Sequence, residues 1–303
     1  MKKENIAKLL YILSIILYGT TGCFYRFIDL PAGLFSLLRA LICVIFIIIF
    51  VVIIRKKPNY EMIKKNLLWL FLGGTSIGFN WICLFEAYNN TTVATASLIN
   101  YLAPALFIVV APIILKEKFP PYKIIFVFTA LIGVILVSGF FNDTNNGSIK
   151  GVILAIFASI GYLGILIFNK KQNGVEPFDK VIIELLSASI VIAPYAIIKT
   201  DFSAITFDYK LILYVLGFGI FLTALAYILY LGSMEHMASL HIAILSYIEP
   251  VTSVILSIVI LKENLSIYGI IGGVLILSST ILCEVINDKK TNKIDQIDNN
   301  TEL

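Results

Sequence analysis

Apolar residues gather in long runs separated by short polar links, a pattern on the scale of whole helices. The runs are Leu9–Tyr25, Leu34–Ile54, Leu67–Tyr88, Val93–Leu115 and Ile124–Phe140, then Ile149–Phe168, Val181–Ile198, Leu211–Leu231, Ser239–Leu261 and Ile267–Ile286. About 20 helical residues cross the ~30 Å hydrocarbon layer of a bilayer. Ten membrane spans are therefore predicted, numbered 1 to 10. Span 1 is expected to stay in place and not be cleaved as a leader, because Gly19, Thr20 and Gly22 lead into Arg26 and not into a soluble domain.

Laid over itself with an offset of 146 residues, the chain matches itself. Tyr101 falls on Tyr247, Pro104 on Pro250, Lys116-Glu117 on Lys262-Glu263 and Tyr122 on Tyr268. Gly73 and Trp81 likewise fall on Gly219 and Tyr227. Pro104 and Pro250 sit in the middle of spans 4 and 9. In a soluble helix each would cost roughly 3 kcal/mol; in a membrane helix, neighbours can satisfy the carbonyl it frees. The freed carbonyls here are those of Asn100 and Ser246, four residues upstream. Matching helix breaks in two halves point to a central transport site.

The expected organisation is all-α and integral to the membrane, with ten transmembrane helices as two inverted five-helix repeats. The repeats cover 8–140 and 149–286, and 287–303 is expected to be a disordered cytoplasmic tail. Five spans per half force the second half to insert upside down.

Composition and charge sharpen this reading. With 59% hydrophobic and 14% charged residues, the chain is too apolar for a soluble fold. If the amino terminus is cytoplasmic, seventeen Lys and Arg fall on inner segments and five on outer ones, with Arg39 inside a span. That bias places both termini in the cytoplasm and the protein in the cytoplasmic membrane. The net charge of +4 follows the membrane and gives no reason to expect nucleic acid as a partner.

Cys23, Cys43, Cys83 and Cys283 read as small buried hydrophobes. His236 and His241 read as interfacial side chains at the inner end of spans 8 and 9. No metal-ligand spacing, phosphate loop, dinucleotide turn or CxxC motif points to a metal, a cofactor or catalysis.

Two apolar helices ending Pro…Leu-Lys-Glu, each between glycine-bearing helices, resemble the EamA-type family of the drug/metabolite transporter superfamily. The closest strings are Ile248-Glu249-Pro250-Val251 and Leu261-Lys262-Glu263-Asn264-Leu265-Ser266. The resemblance spans nearly the whole chain. It implies ten helices around a central cavity and carriage of small organic metabolites, often outward. The first repeat departs from the second by having Ala103 where Glu249 stands.

Polar groups inside a bilayer are expensive and tend to face a bundle interior. Substrate or coupling candidates are therefore Glu249 near the midplane, Asn80 in span 3, and Asn100 with Ser246 before the prolines. Tyr101, Tyr247, Tyr18, Tyr162, Trp81 and Tyr227 are aromatic candidates for a cavity wall, as is Tyr25. Arg39 and Glu86, both toward the outer end, are within reach of an ion pair locking spans 2 and 3. Glu117 and Glu263 read as gate-side groups.

On an ideal helix Glu249 points ~160° away from Tyr247, so both reach one cavity only if the proline break turns the chain. Gly19/Gly22 and Gly161/Gly164 are expected to pack helices closely. Gly133, Gly139, Gly269, Gly272 and Gly273 are expected to do so within the chain or at a homodimer surface.

The function expected is secondary transport of a small organic metabolite, an amino acid or similar amphipathic solute, proton-coupled or facilitated. The alternative is an integral membrane enzyme acting on a lipid or lipid-linked substrate.

Overall fold

The computed structural model describes residues 3–115, 121, 124–139, 148–206, 208–234, 236–237 and 239–301. Among these the regular structure is helical, and four of the helices begin where the sequence supplies a side-chain cap. Asn59, Thr92, Ser148 and Asp208 each accept a backbone N–H three residues on, which satisfies donors that a helix start leaves open. Span 1 is α1 (Lys3–Tyr25), span 2 is α2 (Ala32–Ile53) and span 3 is α3 (Tyr60–Asn90). Span 4 is two pieces, α4 (Val93–Asn100) and α5 (Leu102–Leu115), and span 5 is α6 (Ile124–Val137).

The second half opens with α7 (Ile149–Lys171) and α8 (Pro177–Lys199). Span 8 is α9 (Tyr209–Gly217), a π-helical stretch Phe218–Leu225, and α10 (Ala226–Met234). Span 9 is again two pieces, α11 (Ser239–Ser246) and α12 (Ile248–Val259). Finally α13 (Ile267–Thr301) continues span 10 through the polar stretch that the sequence reading leaves as a disordered tail. Among the described residues, seven helices are long and apolar enough to cross a membrane, and three shorter apolar ones accompany them.

The packing obeys an exchange of the two halves. α3 lies on α7 just as α1 lies on α10, and α3 meets α8 as α2 meets the π-helical stretch. α1 lies along α12 as α7 lies along α5, while α2–α8 and α6–α13 map onto themselves. Each repeat thus buries its apolar stripes against the other. Large apolar side chains such as Ile45, Ile125, Phe128, Phe221 and Ile255 face outward toward lipid.

Glycines set the closest approaches. A Cβ at Gly19 would stand 2.6 Å from the Glu249 carbonyl oxygen, so α1 presses on the start of α12. A Cβ at Gly161 would stand 2.9 Å from the Asn80 backbone, pressing α7 on α3. Gly133 and Gly272 face each other across α6 and α13, each with the other's carbonyl oxygen within 2.6 Å of its missing Cβ. That pair packs inside the chain, and Gly273 likewise meets Leu98 of α4. Cys23, Cys43, Cys83 and Cys283 are buried thiols, as expected.

Candidate functional site

Both proline spans break one turn before the proline, and a tyrosine stands at each break. Tyr101 separates α4 from α5, and Tyr247 separates α11 from α12. The break resolves the geometric conflict of an ideal helix. Tyr101 Oη donates to Glu249 Oε2 at 2.7 Å, while the Tyr101 and Tyr247 rings sit 6.2 Å apart. The same hydroxyl stands 3.3 Å from the carbonyl oxygen of Ser246, one of those that the prolines free. The backbone cost of the second-repeat break is thus met by a side chain of the first repeat.

That junction is one rung of a polar seam between the repeats. Val93, Ser97 and Tyr101 lie four residues apart and share one face of α4. Ser97 Oγ and Ser253 Oγ are 2.7 Å apart in a buried hydrogen bond, with Tyr88 Oη 3.1 Å from Ser97 Oγ. At the outer end the Val93 amide donates to Glu263 Oε2 at 2.8 Å. Glu263 Oε1 pairs with Arg26 Nη2 at 3.1 Å, and Arg26 also donates to the Thr91 carbonyl at 2.9 Å. Ser257 Oγ completes the set as a further partner of Glu263.

The Lys-Glu turn explains this reach. Lys262 takes a left-handed φ of 55°, and the Glu263 amide folds back to the Ser257 carbonyl at 3.1 Å. The turn aims the Glu263 carboxylate of the second repeat at the start of a first-repeat helix, where partial positive charge favours it. Lys116 and Glu117, the matching pair, lie outside the described residues, as does Tyr122.

Tyrosines enclose the space beside the Tyr101–Glu249 bond. Tyr162 stands edge-on to Tyr101 with centroids 6.0 Å apart, and Tyr18 packs on Tyr227 and Tyr230 at 5.6 and 6.1 Å. Tyr11 joins them at 5.4 Å from Tyr230, its hydroxyl donating to the Ile242 carbonyl at 3.0 Å. Tyr18, Tyr162, Tyr227, Tyr230, Ser246 and Glu249 are only half-buried although they face one another from several helices.

Other predicted site residues are placed differently. Asn80 donates to Asn100 Oδ1 at 2.9 Å and to the Ala158 carbonyl at 2.7 Å, so both asparagines pin α3, α4 and α7 together. The Arg39–Glu86 ion pair does not form. Glu86 accepts instead from Tyr195 Oη at 2.9 Å. Arg39, 5% exposed, donates from Nε to Thr223 Oγ1 at 2.9 Å and lies 4.0 Å over the Trp81 ring. Thr223 reaches it from the π-helical stretch, whose widened turn changes the face on which that hydroxyl lies. Tyr25 belongs to a buried aromatic cluster with Phe35, Phe85 and Tyr88, and the cavity it borders is an open one at the end of α1, with Arg26, Asp29, Pro31 and Asn89.

Sequence reasoning missed Tyr11, Tyr230 and the buried carboxyl of Glu184, which accepts from Gln172 Nε2 at 2.7 Å. The tyrosines had a signal, since Tyr11, Tyr18 and Tyr25 recur every seventh residue of α1. Glu184 had a weaker one, as an acid one turn inside span 7.

Comparison with known proteins adds the following. The model of a family described as EamA-like transporters matches residues 5–139 and again 149–284. An uncharacterized transporter of Bacillus subtilis, YxxF, is 22% identical over 96% of this chain and 93% of its own. Solute carrier family 35 member G1 of mouse is 27% identical over 55% of this chain and 48% of its own. A solved crystal structure superposes with a TM-score of 0.61 at 18% identity, covering 94% of this chain and 98% of that one.

Proposed function

Because the chain belongs to the EamA-like transporter family and is a multi-pass membrane protein, we propose that it exports a small organic solute by alternating access between its inverted repeats. The observation that carries this reading is the 2.7 Å bond from Tyr101 to Glu249, which joins the two helix breaks across the repeat boundary. Such a bond can break and reform when one repeat rocks against the other. The tyrosine walls favour an amphipathic solute, an amino acid or similar, because aromatic surfaces with a few fixed polar groups suit such ligands. Glu249 is the carboxyl placed to exchange a proton or meet a cationic group of the solute. The Glu263 seam supports a state with the outer ends of the repeats tied.

The charge bias orients both termini and the Arg55–Lys65 link toward the cytoplasm. In a variant without native cysteines, Ser203→Cys is expected to react with an impermeant reagent on intact cells and Asn59→Cys is not. The reverse pattern overturns the orientation. Transport itself is tested in proteoliposomes by counterflow of labelled amino acids, nucleosides and sugars, alongside product formation from lipid substrates in detergent. Counterflow without lipid product is expected; lipid product without counterflow would establish the membrane-enzyme reading instead.

A further inference from the structure

A second set of polar contacts joins the repeats at the inner end, away from the two helix breaks. It ties the link between α2 and α3, in the first repeat, to the link between α7 and α8, in the second. Lys56 Nζ pairs with Glu176 Oε2 at 2.5 Å. The Asn59 amide donates to Asp179 Oδ2 at 2.9 Å, and that aspartate is buried. Asn66 brackets the backbone of Asn173, accepting from its amide and donating to its carbonyl, both at 3.1 Å. Gln172 Nε2 donates to the Trp69 carbonyl at 3.2 Å and to Glu184 Oε1 at 2.7 Å. Gly174, at a left-handed φ of 68°, turns its link back onto Met62.

Exchange of the two halves carries this place to the outer end, where the link between α1 and α2 meets the link between α8 and α9. At the offset of 146 residues, Asn59 and Asn66 fall on Ile205 and Ile212. At the offset of 142 that lays Gly19 and Gly22 on Gly161 and Gly164, the polar set of the second repeat also turns apolar. Gln172, Glu176, Asp179 and Glu184 fall on Leu30, Leu34, Leu37 and Ile42. The packing supports that offset, since a Cβ at Gly73 would meet Glu184 and one at Gly219 would meet Ile42. Among the described residues no hydrogen bond or ion pair crosses between the outer links. They border instead a cavity of about 510 Å³, with Asp29, Pro31, Lys199, Asp201, Ile205 and Asp208 on its walls.

We propose that the two inner links form a latch, which favours the state closed toward the cytoplasm and must part whenever the bundle opens there. Two equivalent halves give two near-equivalent states, so a tie present at one end and absent at its mate favours one of them. The proposal rests on the transport reading and adds a built-in bias to it. Most of the hold lies in the buried bonds of Asn66 and Asp179. Lys56 and Glu176 are 35% and 43% exposed, so water screens the pair at the rim. The Glu263 tie lies on another seam, between α4 and α12, and its mate Glu117 is outside the described residues.

Maleimide labelling of two reporter cysteines tests this in purified protein held in nanodiscs, with the four native cysteines replaced. Leu70→Cys reports the inner end, one turn beyond Asn66 in α3, where Leu70 is fully buried. Ile205→Cys, in a separate protein, reports the outer cavity. Asn66→Leu removes the bonds to Asn173 and is expected to raise labelling of Leu70→Cys about fivefold, the shift in an equilibrium that one such hydrogen bond commands. Labelling of Ile205→Cys should fall in the same background, because a bundle that opens inside closes outside. A packing role would loosen the inner reporter alone. Should Asn66→Leu not fold, Lys56→Glu decides, with a smaller rise that adding Glu176→Lys reverses. No rise at Leu70→Cys, a rise without the fall at Ile205→Cys, or a rise in Lys56→Glu that Glu176→Lys leaves in place overturns the latch. Counterflow of a solute under those outcomes would leave transport standing. Conversely, reciprocal labelling without counterflow of any solute would remove transport and keep the latch.

Discussion

The two helix breaks share a backbone and differ in chemistry. Each has a tyrosine at the break and a proline three residues on, but Ala103 precedes the first proline and Glu249 the second. In the second repeat the carboxylate reaches Tyr101 of the first. In the first repeat the methyl group of Ala103 is fully buried and has nothing to donate or accept. On the transport reading proposed above, the shared break would serve as a hinge in both repeats and the carboxyl as a function of the second alone. The Tyr101 hydroxyl serves both ends of this asymmetry, meeting the Glu249 carboxylate and standing near the carbonyl that Pro250 frees.

The largest effect is expected from removing the breaks. Pro104→Ala and Pro250→Ala restore an amide that can reclaim the carbonyls of Asn100 and Ser246 and straighten the helix. Both variants should fold and lose at least tenfold in counterflow rate. Pro250→Ala should also weaken the Tyr101–Glu249 junction, because a straight helix turns Glu249 away from Tyr247 and the seam. Wild-type flux in both would show the breaks to be mere tolerated kinks.

A smaller effect follows from Tyr101→Phe, which keeps the ring against Tyr162 and Tyr247 but removes the hydroxyl. The Glu249 carboxylate then loses a buried donor, a loss of about 1 kcal/mol in stability. It should appear as a lower melting temperature together with reduced flux. Wild-type melting and flux in Tyr101→Phe would show the bond to Glu249 to be dispensable.

The smallest effect concerns the outer end of the seam. Cys23 is 1% exposed, and its carbonyl accepts from the amide of Arg26, whose side chain pairs with Glu263. With the other three cysteines replaced, Glu263→Gln should loosen the tie to Arg26 and Val93 and raise labelling of Cys23 by an impermeant maleimide a few-fold. The effect is modest because the Arg26 side chain is one-third exposed and water screens part of that pair. Unchanged labelling would make Glu263 a helix cap without a gating role.

Much of this was legible from the chain. The apolar runs set the spans, and the matched prolines pointed to both breaks within one turn: the helices part at Tyr101 and Tyr247, three residues before Pro104 and Pro250. Contacts that depend on helix rotation were not legible. Arg39 and Glu86 sit at compatible depths, yet a π-helical stretch brings Thr223 to Arg39 and Tyr195 claims Glu86. Asn80 and Asn100 looked like cavity groups because polarity in a membrane is costly, but they satisfy each other and the Ala158 carbonyl. Polarity alone does not tell a ligand-facing group from a helix-pinning one; the partner does. Glu263 read as a solvated or gate-side group at a helix end. Its partners on the first repeat depend on a left-handed turn at Lys262 that no lysine advertises.

The account's central claim is that Glu249 is a working carboxyl at the moving junction of the repeats. Proteoliposomes loaded with a solute established by counterflow, and then given a pH gradient, test it most directly by comparing wild type with Glu249→Gln. Glutamine keeps the shape and can still accept from Tyr101, but it cannot titrate. The account predicts that Glu249→Gln folds, exchanges solute at a reduced rate, and loses accumulation driven by the gradient. Accumulation at the wild-type level in Glu249→Gln would contradict it and make Glu249 a structural link between the repeats.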